Sequence, residues 1–293
     1  MINLLKTDMM RFLRSKQFII ISIISFAIAL FLPLLYAGLQ YLMNSTLSSE
    51  DPLEVYFSAR DFAFSSYGFQ FGFTLMGVRS SSVNVVFIIT AILFTTIISN
   101  EFSYGIIRNK IIAGHKRINI YFSLFITLFV FMFAIAFFSS LLSFAIASVF
   151  FPYDASGGKV FVDDLLPLIE GIGFGILGYL FFTAFICFFA VGLNKTALAI
   201  IFSIVLGFIG MIASTACDAA IMALESVERN ATEDFWYNAA ILINCLNIHR
   251  EMSSLNIFSY TMYEVIAYFI NPICFTFVYG FFGAFIFLKR DIK

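Results

Sequence analysis

The stretch "INIYFSLFITLFVFMFAIAFFSSLLSFAIASVFF", Ile118–Phe151, contains no charged residue. A helix needs about 20 apolar residues to cross the hydrocarbon core of a bilayer, so this run is long enough to tilt or to extend beyond it. Five more runs are long enough or nearly so: Phe18–Leu39, Val83–Ser99, Leu168–Leu193, Thr196–Cys217 and Val265–Leu288. None alternates like the ten-residue strands of a membrane barrel. The sequence therefore predicts an all-α integral membrane protein with six transmembrane helices.

The composition supports lipid as the main solvent of this chain. Only 12% of its 293 residues are charged and 61% are hydrophobic, whereas a soluble domain carries roughly 25% charged residues. The formal net charge of -1 is the sum of a basic side and an acidic side of the protein. We expect no nucleic-acid partner.

The basic residues predict the orientation. Of the 17 Lys and Arg residues, twelve fall in the N-terminal segment, the segment 99–117, the pair 194–195 and the C-terminal tail: Lys6, Arg11, Arg14, Lys16, Arg108, Lys110, Lys116, Arg117, Lys195, Lys289, Arg290 and Lys293. Short loops rich in Lys and Arg face the cytoplasm. We therefore predict that both termini are cytoplasmic. The first apolar run fits a retained anchor better than a cleaved signal.

Residues 1–17 are predicted to form an amphipathic helix in the inner membrane interface. Ile2, Leu5, Met9, Phe12 and Leu13 lie on one helical stripe. The cations of the segment lie largely outside the stripe or at its end, where they can approach anionic headgroups: Lys6, Arg11, Arg14 and Lys16. The alternative is a charged run that only sets the topology.

Residues 1–293 read as a single membrane domain. The largest predicted outer segment, 218–264, has apolar residues at recurring intervals. We expect it to form either short helices in the outer leaflet or a small folded cap. Cys217 and Cys245 in this outer part could pair. Close glycine spacings such as Gly171 with Gly175 and Gly280 with Gly283 indicate either packing within the chain or a seam between two chains.

Sequence patterns for chemistry are missing. The two histidines, His115 and His249, have no metal-binding spacing, no G-x-S-x-G motif occurs, and the "SGGKV" stretch at 156–160 lacks the first glycine and the hydroxyl of a phosphate-binding loop. We therefore predict no catalytic residue, no metal site and no cofactor in this chain. Energy for any uphill movement must come from a partner.

The segment 99–117 combines apolar and charged residues between two apolar runs. Phe102, Ile106, Ile107, Ile111 and Ile112 alternate with polar residues, and Gly114 is expected to end the helix. Five large apolar side chains must be covered by lipid or by another protein. A helix on the membrane surface could bind in a groove of a cytoplasmic protein and transmit its motion to both attached spans.

The stretch "NEFSYGIIRNKIIAG", Asn100–Gly114, resembles the acidic–x–x–aromatic–Gly–x–x–Arg–Asn stretch after the second span of ATP-binding-cassette (ABC) type-2 exporter permeases. The basic N-terminal helix, the six spans with both ends inside and the larger outer segment before the last span extend the resemblance over nearly the whole chain. The matching residues are confined to Glu101–Gly114.

The resemblance implies the transmembrane subunit of an exporter in a cell membrane, such as a bacterial plasma membrane. Two permease chains, identical or different, would pair, and each would rest on a cytoplasmic ATPase that binds ATP and Mg. The residues expected to couple the chain to the ATPase are Glu101, Phe102, Tyr104, Gly105, Ile107, Arg108, Asn109 and Lys110. Glu101 would cap the segment or pair near Arg108, Gly105 would permit close packing, and Arg108 and Lys110 could meet acids on the ATPase.

The expected cargo is amphipathic: a peptide, a lipid or a drug. The alternative is a membrane protein of the same topology that transports nothing, such as a sensor or an assembly factor. A membrane enzyme ranks third because the sequence offers no catalytic set.

Overall fold

The computed structural model describes residues 2–46, 72–73, 83–150, 165–193, 197–202, 205, 209, 216–217, 223, 235–240 and 270–290. Helix dominates this part of the chain, which confirms the predicted helical class. The principal helices are α1 (Ile2–Leu13), α2 (Lys16–Thr46), α3 (Val85–Ser103), α4 (Ile106–Ile112), α5 (Arg117–Phe150), α6 (Leu165–Gly192) and α7 (Asn271–Lys289). Two short strands, β1 (Gly72–Phe73) and β2 (Val83–Asn84), pair antiparallel.

Among the residues that the structure describes, three helices are long and apolar enough to cross a membrane. They cover Lys16–Gly38, Arg117–Phe150 and Pro272–Lys289, and Ile176–Gly192 in α6 forms a shorter apolar helix. They match the first, third and last predicted spans and indicate a membrane protein. The fifth predicted span and the segment 218–264 lie largely outside the described residues, as does Cys245, the possible partner of Cys217.

Aromatic side chains form much of the shared core. Phe12 of α1 is fully buried and its ring stacks on two others, with centroids 6.4 Å from Phe94 of α3 and 5.9 Å from Phe131 of α5. Offset aromatic stacking adds to the effect of burying each ring. Helix α1 therefore lies at one end of the bundle and packs its inner face into the bundle.

The turn between α1 and α2 is closed by one serine. The Ser15 hydroxyl donates to the carbonyl of Phe12 at 2.8 Å and accepts from the backbone N–H of Phe18 at 3.2 Å. The second bond is the N-cap interaction that satisfies a donor in the first turn of a helix. One side chain thus ends α1 and starts α2.

Hydrogen bonds bring several helix ends to the same end of the bundle. Arg117, which opens α5, donates from Nη1 to the carbonyls of Leu288 and Arg290 at 2.9 Å each. Arg290 in turn donates to the Val191 carbonyl near the end of α6 and lies 4.2 Å from the ring centroid of Phe102 in α3. The segment 99–117 and the end of α7 therefore lie together.

The two glycines of α7 have different surroundings. A Cβ on Gly283 would lie 2.4 Å from the hydroxyl oxygen of Tyr121 in α5 and 3.5 Å from the Cα of Phe188 in α6, whereas a Cβ on Gly280 would meet nothing within 4 Å. Gly283 therefore allows three helices to approach within the chain. The sequence left two interpretations of this glycine spacing, packing within the chain or a seam between two chains. The first applies to Gly283.

We predict that Gly283→Ala lowers the free energy of unfolding by about 1–3 kcal/mol, because the added methyl group would displace the Tyr121 ring. Gly280→Ala is the matched control on the same helix, and we expect it to be neutral or slightly stabilising because alanine favours helix. Denaturant unfolding of both variants in one detergent measures the difference. Equal stability of the two variants would contradict the packing described for Gly283.

Candidate functional site

Four charged side chains form a closed ring of alternating sign where α1, α3 and α4 meet. Asp8 Oδ1 is 2.8 Å from Lys110 Nζ and 3.0 Å from Arg11 Nη2. Glu101 Oε2 is 3.2 Å from the same Lys110 Nζ, and Glu101 Oε1 accepts from Arg11. Each residue of this ion ring thus contacts two residues of opposite charge.

A hydroxyl from α5 completes the site. Ser123 donates to Asp8 Oδ2 at 2.7 Å, and both residues are fully buried. Asp8 therefore accepts hydrogen bonds from α1 and α5 and forms an ion pair with Lys110 of α4. Since buried polar groups are costly unless they are hydrogen-bonded, these contacts are what allow a carboxylate at this position.

Three of the four residues of the ion ring are almost inaccessible to solvent, and Arg11 is partly exposed. Asp8 is 0% exposed, Glu101 3% and Lys110 9%, while the Arg11 side chain is 32% exposed. Burial raises the pKa of the Glu101 carboxyl, and the charges of Lys110 and Arg11 oppose that rise. With a cation on each oxygen, Glu101 has the acceptor-only role of a carboxylate. The two acids and two bases then cancel in net charge.

Two glycines with positive φ set the direction of α4. Gly105, with φ 67°, separates α3 from α4, and its N–H donates to the Phe102 carbonyl at 3.2 Å. Gly114, with φ 87°, follows α4; its N–H donates to Ile111, and the N–H of His115 donates to Lys110. This pair of bonds is the Schellman motif, so the predicted helix stop at Gly114 is confirmed.

Helix α4 has an inner and an outer face. Ile107 and Lys110 are buried, and Ile106 and Ile111 are half-buried. On the outer face Arg108, Asn109 and Ile112 are exposed, Ile112 at 72%, and Tyr104, in the turn before α4, is 75% exposed. The inner face holds the ion ring, and the outer face presents one cation and one large apolar side chain, with the exposed Tyr104 just before the helix.

The structure corrects three details of the predicted coupling residues. Glu101 pairs with Arg11 and Lys110, not with Arg108, because Arg108 lies on the outer face. Lys110 is engaged in the ion ring and is too buried to meet an acid on another protein. Gly105 has open space around its Cβ position, so glycine is needed there for its left-handed backbone and not for close packing.

Of the remaining predicted residues, some pack inside the bundle and others are exposed. Phe102 is half-buried, with its ring 6.0 Å from that of Phe287 in α7. Of the N-terminal cations, the structure leaves Lys6, Arg14 and Lys16 exposed, as expected for a membrane interface, and places Arg11 in the ion ring.

Sequence reasoning assigned no role to Asp8 or Ser123. The inner stripe of α1 is Leu4, Asp8 and Phe12, spaced four residues apart, whereas Ile2 is 83% exposed and Leu13 49%. Asp8 is the only acidic residue among the first 49. The sequence feature that could have revealed Asp8 is a single acidic residue on the apolar stripe of an otherwise basic helix. No comparable feature marks Ser123, which lies within a long apolar run.

The geometry of the ion ring suits a structural and mechanical role. All charges are paired within the ring, and no group of three or more His, Cys, Asp or Glu residues that could hold a metal occurs among the described residues. A displacement of α4 must move α1 and α3 with it or separate buried charges. The site can therefore transmit movement from α4 to the helices of the bundle.

Comparisons with other proteins do not assign this chain to a family. No family model, no curated protein and no solved structure matches this chain. Function is therefore inferred from the residues and from the geometry of α4 and the ion ring.

We predict that Lys110→Met destabilises the fold by about 3–5 kcal/mol, because it leaves two buried acids with one cation between them. The double variant Glu101→Gln with Lys110→Met removes one charge of each sign. It should cost less than the sum of the single variants, with a coupling of about 1–3 kcal/mol. Unfolding of the four proteins in one detergent measures this coupling.

Lys6→Met is the matched control, because Lys6 is an exposed lysine on α1 and its loss should change stability by no more than about 0.5 kcal/mol. Additive effects of the two single variants, or a Lys110→Met variant as stable as this control, would show that the ion ring does not hold the helices together.

We predict that Gly105→Ala costs about 1–2 kcal/mol because a Cβ strains a left-handed residue. Gly105→Asn should cost less, since asparagine adopts this conformation more readily. Gly38→Ala in α2 is the control: its Cβ would also meet nothing within 4 Å, but the backbone there is helical. Melting temperatures of the three variants, compared with that of the parent chain, should place Gly105→Ala lowest; any other order would contradict the conformational role.

Proposed function

We propose that this chain is the membrane-spanning subunit of an ABC exporter. In this proposal a separate cytoplasmic ATPase binds ATP and Mg, a second permease chain completes the complex, and six spans place both termini in the cytoplasm of a bacterial cell. The observation that carries the proposal is the two-faced helix α4, held to the bundle by buried charges and exposed on its outer face.

The outer face has the composition of a protein-binding surface. Tyr104 and Ile112 are large apolar side chains that are mostly exposed, and Arg108 is an exposed cation between them in sequence. Aromatic and arginine side chains are the residues that contribute most to binding at protein interfaces. A cytoplasmic ATPase that covers this face would bury the apolar groups and pair an acid with Arg108.

The inner face supplies the path for transmission. A push on α4 acts through Lys110 on Asp8 and Glu101, and through Asp8 on Ser123 of α5. Separating these buried charges costs several kcal/mol, so α1, α3 and the start of α5 should move with α4 as a unit. Closure of an ATPase on ATP would in this way shift membrane-spanning helices.

The proposed cargo is amphipathic: a peptide, a lipid or a drug. Aromatic-rich spans offer apolar surface to such a molecule, and 15 of the 18 acidic residues fall in or beside the predicted outer segments. A polar, wide path through the transporter would contradict this cargo class.

We predict that the chain, purified from its own host in mild detergent, retains a protein that labels with a photoreactive ATP analogue. The double variant Arg108→Glu with Ile112→Glu should reduce that retention by on the order of tenfold or more, since the first change reverses a charge and the second places a charge at an apolar contact of the binding face. Labelled protein per permease chain is the measurement.

Arg14→Glu is the matched control, an equal charge reversal at an exposed site on α1, and it should retain the ATPase. If the parent chain retains no ATP-binding protein, the proposal of an exporter is wrong. A non-transporting role, such as sensing, then takes its place. If the double variant retains as much as the parent chain, α4 is not the ATPase contact.

A further inference from the structure

An apolar groove runs between α5, α6 and α7 on the surface of the bundle. Its volume is about 560 Å³, and its walls include Ile118, Phe125, Leu180, Phe281, Ala284 and Leu288. None of the described residues that line it is charged. Its rim is open, since Phe277 is 72% exposed and Phe281 69%.

The groove is an elongated apolar column. Its lining extends along α7 from Ile273 to Leu288, which is about 22 Å at 1.5 Å per residue. A single hydrocarbon chain fits such a column.

Two cations lie at one end of the groove. Lys289 Nζ is 4.3 Å from the ring centroid of Phe285, and Arg117 Nη1 is 2.9 Å from the carbonyl oxygen of Leu288. Phe285 and Leu288 both line the groove. A guanidinium carries five N–H donors, so Arg117 keeps donors for another anion.

We propose that this groove binds one anionic phospholipid, with an acyl chain along α7 and the phosphate beside Lys289 and Arg117. The apolar column accepts the chain, and the cations complement the headgroup at the end of α7, where a spanning helix leaves the hydrocarbon region. The inference does not rest on the proposed transport function, because it needs only that α5 and α7 lie in a membrane.

Native mass spectrometry of the delipidated full chain tests the proposal, with phosphatidylglycerol and phosphatidylcholine of matched acyl chains as the probes. The expected result is one retained phosphatidylglycerol per chain and weaker retention of the neutral lipid. Lys289→Gln, at an exposed residue, should weaken phosphatidylglycerol retention about fivefold, the contribution expected of one surface cation, and should leave phosphatidylcholine unchanged.

A second variant tests the apolar column. Gly280 lines the groove and its Cβ would meet nothing within 4 Å, so Gly280→Leu should occupy the column and abolish retention of both lipids. Gly38→Leu is the matched control, because Gly38 has equally open surroundings in α2 and does not line the groove. It should bind lipid like the parent chain.

Three results would overturn the proposal. They are equal retention of both lipids by the parent chain, unchanged retention by Gly280→Leu, and a two-chain assembly that Gly280→Leu dissociates while lipid retention stays the same. The last result would identify the groove as a contact between copies. Should Gly280→Leu fail to fold, the Lys289→Gln comparison still decides, because a fivefold loss confined to the anionic lipid supports the site and no loss rejects it.

Discussion

Charge neutrality at one buried site is the constraint on which the arrangement of this protein depends. Asp8, Glu101 and Lys110 are nearly inaccessible, and a buried charge is tolerated only when it is paired and hydrogen-bonded. The alternating order with Arg11 gives each of the four charges two opposite neighbours. Because the four residues come from α1, α3 and α4, and Ser123 adds α5, satisfying the charges requires these helices to meet.

The backbone around α4 makes that meeting possible. Gly105 and Gly114 both have positive φ, so the chain can end α3, form a helix of seven residues and turn again into α5. Between these two turns only one face of α4 can reach the ion ring. Burial of Ile107 and Lys110 on that face leaves Arg108 and Ile112 exposed, and this division of one short helix underlies the proposed contact with an ATPase.

Local features were predictable, and the partners of the charges were not. The helix stop at Gly114, the N-terminal helix and three long apolar helices follow from residues close together in the chain. Asp8 and Ser123 are 115 positions apart, and Arg11 and Glu101 are 90 apart. No periodicity links residues at such separations. The expectation that Glu101 pairs with Arg108 used the nearest cations in the segment, but α4 turns Lys110 inward and Arg108 outward.

The helical class and the apolar runs follow from the sequence alone, because they depend on composition and on conformational preferences within a few residues. The helix stop at Gly114 follows as well, since glycine is the residue that adopts positive φ without strain, whereas the left-handed conformation of Gly105 was not predicted. Only the tertiary structure decided which acid meets which base, which face of α1 packs inward and where an open groove remains beside α7. Those outcomes depend on how distant helices pack, and packing is settled by the whole bundle because every buried charge and side chain must be accommodated together.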